Sequence, residues 1–302
     1  MGLDVFVMPI SAYLAGRFES PLAQVLGSAA AANVIRVGNP KPDAAPDLAA
    51  EHLAWMQAEL TRLTGRTVAW RDAGETVFSR QYHYGSVQAV RALAASVEYP
   101  NLSVDAAGKP LPVERFDREH PALVHVYRGA ATKFPHLIWH ADNQGYYVPC
   151  DFPEPVKLGL SPLERAAQEK QDAEDRAFYE QEAAKRKSLR WKLERLFHRI
   201  DLLFRPAKER EFHRLLMAME DVLESPSPAD GRWDWVGSSI ALLRELEVLR
   251  SHAGVERDWN GLPDETLAEE SDPFRGLKYA WAFLHKAGRE SVANGLPIVF
   301  DG

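Results

Sequence analysis

The chain has 302 residues, 46% hydrophobic and 26% charged, enough apolar chain to build a core without disulfides or a structural metal. Its formal net charge of −7 disfavours indiscriminate attraction to nucleic acid or anionic lipid and leaves only a local basic patch for either. A single cysteine, Cys150, excludes an internal disulfide and fits a reducing, cytoplasmic setting.

No apolar run approaches the ~18 residues of a membrane span. Leu3 to Met8 reads as an opening strand and not as a secretory signal, because no basic charge precedes it and Pro9 interrupts the run. The alanine-rich segment Pro21 to Val37 predicts a helix. After a proline-rich connection, Asp47 is placed to cap a second helix that runs to Gly65, with Leu53, Met56, Leu60 and Leu63 on one face. Thr67 to Trp70 and Thr76 to Tyr84 read as short strands joined by a turn at Asp72 to Gly74. Ser86 opens a helix whose buried stripe is Val87, Val90, Leu93 and Val97. A polar loop follows from Pro100 to Pro121. His136 to Trp139 and Tyr146 to Val148 then read as strands around the turn Asp142 to Gly145.

Composition changes near Pro155. Ser161, Pro162 and Glu164 have the pattern of a helix start, and no breaker follows until Pro206. An unbroken helix over 162–205 would extend on the order of 60 Å. In its first half opposite charges recur four apart, as in Arg165 with Glu169, Asp172 with Arg176 and Glu182 with Arg186. Each such pair contributes only ~0.2–0.5 kcal/mol, which supports a solvated helix without anchoring it. The stripe Leu189, Leu193, Leu196, Ile200 and Leu203 requires the second half to pack, so the first half is expected to project. Further helices are predicted from Pro206 to Glu224, from Ser239 to His252 with Leu242, Leu243, Leu246 and Leu249 inward, and from Asp272 with the stripe Phe274, Leu277, Trp281 and Leu284. Asn294 and Gly295 turn the chain into a final strand, Ile298 to Phe300.

Chemistry concentrates between His120 and Asp151, which holds four of the ten histidines. Imidazole and carboxylate are the usual ligands of zinc and similar ions, so His125, His136, His140 and Asp142 are the candidate metal ligands. On a strand, His136 and His140 would share a face ~13 Å apart, too far for one ion without cross-strand partners. No H-E-x-x-H spacing exists, and histidines bonded to backbone or solvent are the simpler alternative. Asn143, Tyr146 and Tyr147 are candidates for a ligand-facing loop, although Asp-Asn-x-Gly is also ordinary turn chemistry. Lys185, Arg186, Arg190, Trp191 and Arg195 form a basic run suited to phosphates or to an acidic partner, or to a solvated helix face. Phosphate-loop, G-x-G-x-x-G and G-x-S-x-G signatures are all missing; Gly237-Ser238-Ser239 reads as a helix start.

These features predict an α+β protein dominated by helices. Residues 1–155 form a mixed portion with a small sheet, and 156–302 a helical portion with one long charged helix and a C-terminal strand returning to the first. The expected function is non-catalytic binding of another protein, or self-association, with the long helix as contact surface. No cofactor is predicted. The alternatives are a metal-dependent hydrolase using a divalent metal within 120–151, and nucleic-acid binding through 185–199. No membrane partner is expected.

Overall fold

A computed structural model of the chain describes residues 2–19, 21, 44–138, 144–159, 161, 165, 169–170, 173–181, 235–255 and 274–301. Contacts divide it into two units, Met1–Ser161 with Trp233–Gly302, and Pro162–Arg232. In sequence the second unit is an insertion into the first.

The larger unit is α+β, with one mixed six-stranded sheet. The strands are β1 (Gly2–Val7), β2 (Phe78–His83), β3 (Gln144–Val148), β4 (Val156–Lys157), β5 (Trp235–Ser238) and β6 (Ile298–Asp301), in the order β2-β1-β6-β3-β5-β4. Every pairing is antiparallel except that of β3 with β5. The final strand thus lies inside the sheet, with Val5 opposite Phe300 on one side and Tyr147 opposite Ile298 on the other.

Alternation along β1 separates two apolar layers, as the period of a strand requires. Val5 and Val7 join Phe78, Tyr147, Ile298 and Phe300 in the main core. That core is filled by α3 (Tyr84–Glu98), α4 (Pro121–Tyr127), α5 (Pro135–Ile138), α6 (Ser239–Leu249) and α7 (Arg275–Asn294). Phe6 points the other way, and its ring meets Tyr13 at 6.5 Å and Phe18 at 4.9 Å. Tyr13 belongs to α1 (Ile10–Leu14), which packs with α2 (Pro46–Thr64). The expected stripes of α3, α6 and α7 are buried at Val87, Val90, Leu93, Leu242, Leu246, Leu249, Leu277, Trp281 and Leu284. Gly65 and Gly295 both adopt φ of 65° and end α2 and α7 in the left-handed conformation that a side chain would resist.

Several expectations are corrected. Thr67 to Trp70 joins no strand; Val68 donates its N–H to Thr61 Oγ1 and Arg71 its N–H to the Gly295 carbonyl, so local partners replace a ladder. Asp47 does not cap α2, which starts after Ala45 with Pro46 in its first turn; Asp47 lies inside that turn, where its charge complements the helix dipole. Leu63 and Phe274 are exposed. His136 is not on a strand: Pro135–Ile138 is a short helix, for a reason given below. Within 162–205, residues 165, 169–170 and 173–181 are helical, and the rest of that predicted helix lies outside the described residues. So do most of the predicted helix 21–37, all of 206–224, the linker 225–231, and Asp272 with Pro273.

Two close approaches test this packing. A Cβ at Gly237 would stand 2.4 Å from Tyr147 Cδ1, against a ring held by its own hydroxyl; at Gly288 it would stand 2.9 Å from Cδ2 of the partly exposed Leu243. Gly237→Ala should destabilise by ~1–3 kcal/mol through overpacking. Gly288→Ala should be close to neutral, because Leu243 can change rotamer and alanine gains about 1 kcal/mol over glycine within a helix. Urea midpoints of the two variants measure the contrast, and equal shifts would contradict it.

Candidate functional site

The richest polar cluster centres on α5. This helix is only four residues long, too short to persist alone. Its first N–H groups, which lack partners within the helix, are satisfied from far away: Glu245 of α6 accepts from His136 N at 3.0 Å and from Leu137 N at 2.7 Å, one carboxyl oxygen each. The Tyr147 hydroxyl donates to the His136 carbonyl at 2.5 Å, and Arg91 Nε donates to the Leu137 carbonyl at 3.1 Å. All four side chains, those of Arg91, His136, Tyr147 and Glu245, are buried.

The imidazole of His136 is equally committed. Ser238 donates its backbone N–H to Nδ1 at 2.9 Å, so Nδ1 carries the lone pair and the ring proton sits on Nε2. Nε2 then donates to the Phe152 carbonyl at 3.1 Å. Burial depresses this histidine from 6.5 to about 4, which keeps the neutral tautomer these bonds need. Ser238 also caps α6: its hydroxyl accepts from Ala241 N at 3.0 Å and donates to the Cys150 carbonyl at 2.6 Å. At the rim, Asp151 and Arg244 form a bidentate pair at 2.8 and 2.9 Å.

Chemically, the cluster holds the structure together. A general base or metal ligand needs a lone pair that can turn to a substrate or ion, and both His136 nitrogens are used internally. Burial pushes Glu245 up from 4.5 to about 8, opposed by its two N–H donors, and pushes the Tyr147 hydroxyl well above its ordinary value.

The remaining candidates are dispersed. His125 is exposed on α4, with its ring edge-on to Tyr99 at 4.9 Å. His140, Asp142 and Asn143 lie outside the described residues, as do Lys185, Arg186, Arg190, Trp191 and Arg195. Tyr146 and Tyr147 are buried in β3. Among the described residues, no three His, Cys, Asp or Glu side chains are grouped to hold a metal ion, so metal binding lacks support. Nor does any helix among them have the length and apolarity to cross a membrane.

Two histidines escape a motif search. His52 on α2 and His120 before α4 are buried, with ring nitrogens that have no hydrogen-bond partner, and burial lowers both, His52 to about 4. His52 was detectable, since it falls at helical spacing with the buried Ala49, Met56 and Leu60.

The exposed groups are of a different kind. Residues 173–181 are helical and exposed throughout, and they include Glu174, Asp175 and Glu180 against one cation, Arg176. Phe178 and Tyr179 stand 58% and 50% exposed, their rings 5.8 Å apart and inclined at 73°. Lys170 reaches Glu174 at 3.8 Å, both side chains exposed.

The larger unit is thus an α+β body in which the polar cluster around α5 is bonded internally. The chain belongs to the family described as "Putative DNA-mimic protein", whose model matches residues 1–174 and 210–300. Comparison with curated proteins and with solved structures yields no match.

The buried groups set a pH profile of stability. Glu245 binds its proton more tightly folded than unfolded, so its contribution is complete below 4.5 and is lost as pH rises through about 8. His136 and His52 behave oppositely: their contribution is complete above 6.5 and is lost as pH falls through about 4. The effects oppose one another in mild acid, and Glu245 alone of the three acts from 6.5 to 8. Urea-midpoint stability should therefore decline over that interval, and Glu245→Gln should flatten the decline while lowering stability at pH 6.5. An unchanged slope in the variant would contradict the assignment.

Proposed function

We propose that this chain binds a DNA-binding protein and occupies the surface that protein uses for DNA. The observation that carries the reading is the family match, which spans most of the chain on both sides of its one gap. The charge balance supports it: 43 carboxylates against 36 Lys and Arg give a chain that repels duplex DNA and attracts what DNA attracts. Duplex DNA presents roughly one negative charge per 1.7 Å of axis, and proteins that bind it do so largely through Lys and Arg. A folded acidic protein can meet the same cations with carboxylates fixed by its backbone. The polar interior fits this role, because its groups secure a scaffold and leave recognition to exposed side chains.

The expectation of a partner protein is thereby narrowed to one class. Purified chain should bind at least one member of a panel of DNA-binding proteins, and competing duplex DNA should release it. Raising salt from 50 to 200 mM should weaken the complex by about tenfold or more, as expected when several ion pairs form. The reading fails if no panel protein binds, if bound DNA and the chain coexist on one partner, or if the chain itself retards duplex DNA on a gel.

A further inference from the structure

We propose that the aromatic face of helical residues 173–181 docks onto arginine side chains of a partner's DNA-binding surface, its carboxylates pairing the guanidinium groups while Phe178 and Tyr179 stack on them. The inference rests on the DNA-competition reading for the class of partner. It adds a surface that straddles the end of the family match, which stops at residue 174 and resumes at 210: Glu174 lies inside the match, and Asp175, Phe178 and Tyr179 beyond it.

The arrangement follows from helical phase. At roughly 100° per residue, Glu174, Phe178, Asp175 and Tyr179 fall in that angular order within an arc of about 140°. Arg176 and Glu180 fall outside the arc. One face therefore presents two carboxylates and two rings, and the cation within 173–181 lies elsewhere. Isolated exposed aromatic residues are common, but these two are neighbours, and no residue from 173 to 181 is buried. Residues one apart on a helix do not face each other, so the pair contributes little to the helix itself, and both rings stay half exposed or more.

Charge and shape select the occupant. The Lys170–Glu174 pair has side chains 79% and 60% exposed, so a closer cation displaces it at little cost. Guanidinium is the cation that suits both halves of the face: it pairs carboxylates bidentately, and its plane lies against aromatic rings. Ammonium is more strongly hydrated and has no flat surface to stack. The face should therefore distinguish arginine from lysine, which acidity alone does not.

The test uses the full chain and two fluorescein-labelled peptides, one of ten arginines and one of ten lysines, with binding read by anisotropy. The arginine peptide is expected to bind ~5–10-fold more tightly. Phe178→Leu with Tyr179→Leu keeps apolar bulk and helix propensity; it should erase the preference and leave lysine-peptide affinity unchanged. Glu174→Gln with Asp175→Asn should weaken both peptides and reduce their salt dependence. Equal affinities for the two peptides, or a preference that survives the leucine pair, overturns the proposal. If that happens while a panel protein still exchanges the chain for duplex DNA, the broader function stands without this surface. If the preference appears and no panel protein binds, the surface stands and the assigned partner class fails.

Discussion

The Glu245 carboxyl group is the hub of the larger unit's buried polar cluster. It fixes the start of a four-residue helix from 109 positions away in sequence, through both of its oxygens. That helix in turn presents the imidazole that receives the Ser238 N–H, where β5 passes into α6. Tyr147 and Arg91 take the carbonyls of His136 and Leu137, so β3 and α3 are bonded to the same short segment. Removing one member leaves several desolvated groups without partners, which costs more than any one bond contributes. A satisfied network of this kind selects one arrangement among compact alternatives.

This organisation bears on function by elimination within the cluster and by accumulation outside it. Reactive side chains whose lone pairs and protons are used internally do not turn toward a substrate. The satisfied cluster instead ties β3, β5, α3 and α6 to one short helix. The exposed 173–181 segment contributes the opposite property, with side chains that reach solvent and no burial to restrain them. The bonded interior and the proposed contact thus draw on separate stretches of the chain.

The fold was legible where burial imposes a period. Apolar residues three and four apart located the inner faces of α3, α6 and α7, and Asn294-Gly295 located the end of α7. It was illegible where a distant residue decides. Ile138 and Trp139 have strand-favouring side chains, yet Pro135–Ile138 is helical, with Glu245, Tyr147 and Arg91 bonding its backbone from other elements. Glu245 and Arg91 fall at helical spacing with the buried Leu242, Leu249 and Val87, but a charged side chain reads as solvated until its distant partner is known. Asp4 and Asp301 face each other across β1 and β6, both buried, although each reads as an end-of-strand charge. Of the candidate site, the histidine-rich stretch has the composition of a metal site, yet both nitrogens of His136 within it serve the backbone. Acidity was plain from composition; the aromatic pair at 178 and 179 was visible too, but its meaning depends on exposure.

The second unit enters the chain between β4 and β5, and those strands are hydrogen-bonded neighbours, with Val156 opposite Val236. Seen from the sheet, everything from residue 158 to 234 is therefore a single excursion that leaves and rejoins at adjacent rungs. Closing such an excursion costs only about 0.6 kcal/mol more for each doubling of its length. Descendants of one ancestor can thus trim, extend or replace it while the strand ladder keeps its register. The gap in the family match, 175–209, falls inside this excursion. A change of length there leaves the rungs that pair β4 with β5 in place.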